Sequence, residues 1–209
     1  MLKLYDYLPS QNGYKIRMLL ELLKRPYESV PIEIFQGESR EATFLEKNPA
    51  GAIPALEVEP GRYIAESNAI LCFLAEGSSY LPADPFLHEK VLQWLFFEQY
   101  YVEPNIGTLR FWTLTGRLGV NSALVAGKRA GGERALAALE RQLNESRFLV
   151  GDACTIADLG LFAYTHLAAD AGFDLSRYPA VEAWIKRLGQ LGAGPPPVHP
   201  YTPDAMVPK

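Results

Sequence analysis

Three short stretches of this 209-residue chain carry polar groups at spacings that can do chemistry. The first, Ser10-Gln11-Asn12-Gly13-Tyr14-Lys15-Ile16, runs into apolar residues at Ile16, Leu19, Leu20 and Leu23, the i, i+3, i+4, i+7 pattern of a helix. A hydroxyl and an amide at a helix N-terminus, beside unpaired backbone N–H groups and the positive end of the dipole, favour a bound anion. The same residues also serve as plain N-caps, so on its own the stretch leaves capping and anion binding open. The second stretch is Ala65-Glu66-Ser67-Asn68-Ala69-Ile70. There the Glu66 carboxylate can accept from an ammonium, while the Ser67 hydroxyl and the following N–H groups can receive a carboxylate. The third is Ile53-Pro54-Ala55-Leu56, where proline heads a strand-like run and forfeits a ladder hydrogen bond. A cis Ile53-Pro54 bond would turn the chain sharply and offer the Ile53 amide and carbonyl to an extended, peptide-like ligand. A trans proline is the ordinary alternative, since only about one X-Pro bond in twenty is cis.

Other chemistry is disfavoured. His88, His166 and His199 do not cluster with each other or with Cys72 and Cys154, so no zinc-ligand spacing arises and no metal is expected. The two cysteines lie far apart among apolar neighbours, which fits reduced thiols in a cytoplasmic protein. Twenty Lys and Arg against 24 Asp and Glu give a net charge of -4, which argues against a nucleic-acid partner. Charges break up the apolar residues at Met1 to Asp6, and no later run reaches spanning length, so neither a secretory signal nor a membrane segment is expected.

The elements that must hold these stretches differ between the two halves. Up to residue 76 the pattern is a strand at Leu2 to Tyr7, the helix after Ser10, a strand at Ser29 to Phe35 with Pro31 suggesting an edge, then strands at Ala55 to Val58 and Tyr63 to Ala65 and a helix from Ser67. This is a βαβ, loop, ββα order. Residues 77–85 read as a linker and 86–191 as all helical, with Pro104 expected to kink a long first helix. Thr155-Ile156-Ala157-Asp158 has the form of a capping box and is read as a stability element. Residues 192–209 hold six of the 16 prolines and read as an extended arm.

A proline-headed ββα unit after a βαβ unit is the layout of the thioredoxin-like fold. With Asn48-Pro49-Ala50-Gly51-Ala52-Ile53-Pro54, the Glu66-Ser67 pair and the capping box ahead of a core helix, the chain resembles the cytosolic glutathione transferases from Met1 to about Leu188. Ser10 to Ile16 is similar to the serine-type and asparagine-containing bacterial branches. The resemblance implies an α/β thioredoxin-like N-terminal domain (1–76) and an all-α C-terminal domain. It implies glutathione as co-substrate, Ser10 and Asn12 hydrogen-bonded to its sulfur, and Ile53, Pro54, Glu66 and Ser67 around its peptide. Relatives often carry Lys or Arg before the Ile/Val-Pro pair to hold the glycyl carboxylate; here that position is Ala52, so Arg40 or Lys47 is expected to compensate.

Tyr5 is a rival for thiol activation, since other branches use a tyrosine of the first strand. Tyr101, Arg110 and Phe111, on the first long helix of the second half, are the expected contacts of a small hydrophobic electrophile. The implied function is conjugation of glutathione to that electrophile by a homodimer. Glutathione-dependent disulfide or peroxide reduction is the alternative, and a non-catalytic interaction protein on the same fold the more distant one.

Overall fold

The computed structural model describes residues 1–202, so residues 203–209 of the expected arm lie outside the described residues. The chain forms two compact units, one of Met1–Glu76 joined by the stretch from Pro196, the other of Gly77–Pro195.

In the first unit, β1 (Leu2–Asp6), β2 (Tyr27–Pro31), β3 (Ala55–Glu59) and β4 (Arg62–Ala65) form one mixed sheet in the order β2-β1-β3-β4. β1 runs parallel to β2 and antiparallel to β3, and β3 and β4 form a hairpin. Alternation in β1 buries Leu2, Leu4 and Asp6, as the period of two in a half-covered strand requires. That face meets α1 (Gln11–Leu22), whose Ile16, Met18, Leu19 and Leu20 are buried, and α1 packs along α3 (Ser67–Ala75). A short α2 (Ala42–Leu45) lies in the β2–β3 connection.

β2 does occupy an edge, but it lies nearer the N-terminus than the expected Ser29 to Phe35. Its last residue is Pro31, which has no N–H to extend a ladder, and after one more bond from the Ile32 N–H to the Asp6 carbonyl at 2.8 Å the chain turns into a single 3-10 turn at Ile34–Gln36. The Ile53-Pro54 bond is cis.

The second unit is helical: α4 (Pro85–Phe97), α5 (Thr108–Leu114), α6 (Ser122–Glu145), α7 (Ile156–Thr165) and α8 (Pro179–Leu188). The expected kink at Pro104 takes the form of a π-helical stretch, Glu98–Gly107, joining α4 to α5. Proline cannot donate to the preceding turn, and wider turns absorb the missing bond. The Pro104 carbonyl accepts from Lys128 Nζ of α6 at 2.5 Å. Gly131 of α6 lets the two segments close, because a Cβ there would stand 2.3 Å from Asn105 Oδ1.

α7 is buried along its whole length and starts at the expected capping box. Asp158 Oδ2 accepts from the Thr155 N–H at 2.9 Å and from Thr155 Oγ1 at 3.1 Å. Its Oδ1 accepts from the Leu149 N–H at 2.9 Å and from Trp184 Nε1 of α8 at 2.9 Å. One carboxylate thus caps α7, fixes the loop before it and anchors the fully buried Trp184. Asp158→Ala orphans three buried N–H groups and is expected to destabilise by about 3 kcal/mol or more, whereas Thr155→Ala, losing mainly a cap, costs about 1 kcal/mol. Denaturant melts of the two variants will show this ordering.

Candidate functional site

The predicted site residues of the first two stretches meet at the N-termini of α1 and α3. Ser10 is the N-cap of α1, its Oγ accepting from the Asn12 N–H at 3.2 Å. This bond uses a lone pair of Ser10, so its O–H can still donate outward. Asn12 is half-buried, and its Oδ1 accepts from Ser67 Oγ at 3.0 Å across 55 residues of sequence. The bond fixes which way the Asn12 amide faces. One turn further, Lys15 Nζ donates to Asn68 Oδ1 at 2.8 Å. Asn12 and Lys15 are i, i+3 neighbours on α1, so two adjacent bonds join the starts of the two helices. Sequence reading missed the Lys15–Asn68 bond; the i, i+3 spacing from Asn12 was its only local signal.

Glu66, the N-cap of α3, has φ 63° and ψ 112°, a conformation that a residue with a Cβ adopts at a cost of about 1–3 kcal/mol. Its side chain is exposed while Ser67 is buried, so the strained backbone presents a carboxylate at the mouth of the α3 N-terminus. The loop that leads to cis-Pro54 is shaped by the buried Asn48, which donates to the Ala52 carbonyl at 2.6 Å and accepts from the Ala50 N–H at 3.1 Å. In the sequence Asn48 stands only as part of the strand-entry run, with no local signal of this role.

The two candidates for replacing the missing cation at Ala52 part company. The Arg40 side chain lies against Gly51, where a Cβ would stand 2.9 Å from its Cδ, and so reaches the Asn48–Ile53 loop. Lys47 does not: its Nζ sits 5.4 and 5.3 Å over the Tyr5 and Tyr63 rings and donates to the Thr43 carbonyl at 2.7 Å. Tyr5 belongs to that same cluster. Its hydroxyl donates to Glu57 at 3.1 Å and burial pushes it up to about 12, so it is a packing residue rather than a thiol activator.

In the second unit Tyr101 is half-exposed and stacks on Phe97 at 5.0 Å, and Phe111 lies under the Arg117 guanidinium at 5.3 Å. Arg110 corrects the expectation of a ligand contact. It is 3% exposed and its Nε donates to Asp170 at 2.9 Å, so it ties α5 to the turn at Ala168–Ala171. Cys72 and Cys154 are free thiols, raised from their ordinary range by burial and so poorly ionised. No His, Cys, Asp and Glu cluster able to hold a metal exists among the described residues.

Beneath the α1 start lies a buried ion pair. Arg17 donates to Asp6 and, through Nη2, to the Leu8 carbonyl at 2.8 Å, which holds the β1–α1 turn from inside. Gly13 permits this approach, since a Cβ there would stand 1.8 Å from Asp6 Oδ1. That oxygen has no hydrogen-bond partner among the described residues. Burial pushes the Asp6 carboxyl from 3.8 up to about 7, against the lowering pull of Arg17. The native state therefore holds a proton that the unfolded chain releases across that window, and stability falls as pH rises through it. Asp6→Asn removes this contribution, so its stability relative to wild type is expected to rise with pH from 4.5 to 7.5. Paired denaturant melts at several pH values will read the difference, and a constant difference would show that Asp6 does not titrate there.

Comparison with known proteins matches this geometry to a family. Residues 1–76 match the glutathione S-transferase N-terminal domain and residues 122–187 its C-terminal domain. A glutathione S-transferase from Pseudomonas fluorescens has a similar crystal structure, at 45% identity and TM-score 0.91, covering 93% of this chain and 98% of that one. The maleylacetoacetate isomerase of Rhizobium meliloti is 30% identical over 208 residues, 91% of this chain and 92% of that protein. The disulfide-bond oxidoreductase YfcG of Escherichia coli is 27% identical over 195 residues, 90% of each. With its thioredoxin-like sheet, its helical second unit and both domain matches, the chain belongs to the glutathione S-transferase family.

Proposed function

We propose that the chain is a glutathione transferase of the serine/asparagine type, which binds glutathione as a thiolate and directs it at a small hydrophobic electrophile. The observation that carries this reading is the 3.0 Å bond between Ser67 and Asn12, which joins a peptide-binding pair to a sulfur-facing pair in one unit. In this reading Glu66 accepts from the γ-glutamyl ammonium, and the backbone N–H groups at the start of α3, that of Ser67 first, receive its carboxylate. Ile53, held before cis-Pro54, pairs with the cysteinyl backbone, and Arg40 reaches toward the glycyl carboxylate that Ala52 cannot hold. The Ser10 hydroxyl and the Asn12 amide donate to the sulfur at the positive end of α1.

A thiol of pKa near 8.5 is only about 3% ionised at pH 7, whereas lowering it by about two units makes it roughly 75% ionised, for about 2.7 kcal/mol. Two charge-assisted hydrogen bonds and the helix dipole supply that amount. The sulfur electron pair then forms the new C–S bond, and the leaving group, a halide for an aryl chloride, departs with the pair from the broken bond. The protein forms no covalent intermediate; it orients the thiolate and stabilises it before the attack.

Disulfide reduction is the second reading, supported by Asn12-Gly13 at the α1 start and by the resemblance to a disulfide-bond oxidoreductase. In that reaction the same thiolate attacks a disulfide sulfur and expels the other as thiolate. An assay panel of free glutathione with an aryl chloride, a hydroperoxide and a mixed disulfide separates the two. Two free, weakly acidic cysteines fit a reducing, cytoplasmic setting, and no described helix is long and apolar enough to cross a membrane.

We also propose a homodimer, supported by the exposed apolar rings of Phe96 and Tyr100, 71% and 75% exposed, on one pocket of the helical unit. Light scattering at micromolar concentration should give twice the chain mass, and a monomer that still binds glutathione would remove this part.

Ser10→Ala and Asn12→Ala are each expected to raise the thiolate pKa of bound glutathione and to lower turnover about tenfold to a hundredfold, corresponding to about 1.5 to 3 kcal/mol per bond. Binding of glutathione itself should change little in Ser10→Ala, which leaves Glu66 and Ser67 untouched, whereas Asn12→Ala also removes the acceptor of the Ser67 hydroxyl and is expected to weaken binding as well. Thiolate absorbance against pH, in wild type and both variants, is the measurement; superimposable curves would refute activation by this loop.

A further inference from the structure

Helices α1 and α3 pack along each other, and both are rich in buried aliphatic side chains: Ile16, Leu19 and Leu20 on α1, Ile70, Leu71 and Leu74 on α3. Burial of that kind is enough to hold two helices together. Against this background Lys15 is out of place, because it is fully buried near the start of α1. Withdrawing a lysine from water is costly unless its Nζ is hydrogen-bonded, and an aliphatic side chain at the same position would carry no such cost. Departures of this kind from local rules are expected at functional sites.

The Lys15 Nζ donates to Asn68 Oδ1 at 2.8 Å, beside the 3.0 Å bond from Ser67 Oγ to Asn12 Oδ1. Lysine has donors only, so Asn68 must turn its oxygen toward α1. The Asn12–Ser67 bond taken alone is a pivot: it sets a distance but leaves one helix start free to rotate about the other. The Lys15–Asn68 bond lies three residues further along α1 and one further along α3, so the two bonds together fix both separation and rotation. In the glutathione reading, the ligand touches both helix starts. Its amino-acid head meets Glu66 and the first N–H groups of α3, and its sulfur meets Ser10 and Asn12 on α1.

We infer that Lys15 is a positioning residue for the proposed reaction, which through Asn68 holds the start of α3 at the distance from the start of α1 that a γ-glutamyl thiol spans. The inference rests on the glutathione reading above and adds to it the bond that sets the spacing of the two half-sites. A ligand that needs both ends gains affinity from a spacing fixed in advance, because no ordering remains to be done on binding. A ligand that needs only the α3 end gains nothing from it.

Calorimetry with glutathione and with the same tripeptide carrying 2-aminobutyrate in place of cysteine separates the two cases, and thiolate absorbance against pH follows the sulfur. Lys15→Met and Asn68→Ala are each expected to weaken glutathione binding about tenfold and to raise the thiolate pKa of the bound ligand by about one, while the sulfur-free analogue stays within about threefold of wild type. Retained binding of that analogue also shows that each variant is folded. Lys15→Arg, whose guanidinium can donate to the same oxygen, is expected to keep both ligands within about threefold. The double variant Lys15→Met/Asn68→Ala should lose no more than the weaker single variant, since both remove one bond. Equal weakening of the two ligands would overturn the inference, as that is general loosening of the fold. Additive losses in the double variant, or single variants that bind and ionise glutathione as wild type does, would also overturn it, and in those results the glutathione site stands. A wild type that fails to bind glutathione would overturn that site and this inference together.

Discussion

Helix α1 comes so close to the end of β1 that only a residue without a side chain fits at Gly13, and the rest of the site depends on that approach. Asp6 fills the space a Cβ would need, Arg17 neutralises it, and the second guanidinium arm takes the Leu8 carbonyl. The β1–α1 turn is thereby held from below, which fixes where Ser10 starts the helix and where Asn12 points. From Asn12 the constraint passes through Ser67 to α3, and so to Glu66. Burying the pair is not a source of much net stability, because desolvation of two ions offsets most of their attraction. Its effect is to leave one arrangement of the turn open, since any other would strand a charge in the interior.

The strain at Glu66 follows from the same geometry. An N-cap ordinarily takes extended φ and ψ and accepts a hydrogen bond with its side chain, as Asp84 does at the start of α4. Glu66 does neither: its backbone turns to positive φ, and no side-chain bond caps α3. A carboxylate used as a cap would lie over the first N–H groups and block them to any ligand. Turned outward, it leaves those groups uncapped; in the function proposed above they would meet a ligand carboxylate and its own oxygens an ammonium. Local stability is lower and two opposite charges can be received side by side, a pattern expected where binding sets the backbone conformation.

Much of this was legible in the sequence because it is local. Ser10 and Ser67 announce helix starts, Thr155 and Asp158 announce a third, and Ile53-Pro54 heads its strand, each within a few residues. What was not legible depends on partners far along the chain. Nothing near Arg110 signals that Asp170 will take its guanidinium, so an arginine beside aromatic residues reads as a ligand contact. Nothing near Lys47 signals the Tyr5 and Tyr63 rings. β2 was displaced for a related reason: alternation continues from Ser29 to Phe35, but a strand needs a partner, and β1 ends opposite Pro31. Periodicity gives the tendency, and pairing decides the extent.

Ser10 shows why capping and thiol activation are compatible. A hydroxyl has two lone pairs and one proton. Capping Asn12 N–H uses a lone pair and orients the side chain; a sulfur anion would use the proton. The first bond holds the rotamer that the second needs, so little reorganisation is required when the thiolate forms. The Asn12 oxygen is likewise held, by the Ser67 hydroxyl. In the function proposed above, each side chain is oriented by one bond and would act through a second. A serine and an asparagine, neither able to ionise near neutral pH, would in that way stabilise a charge on a ligand together.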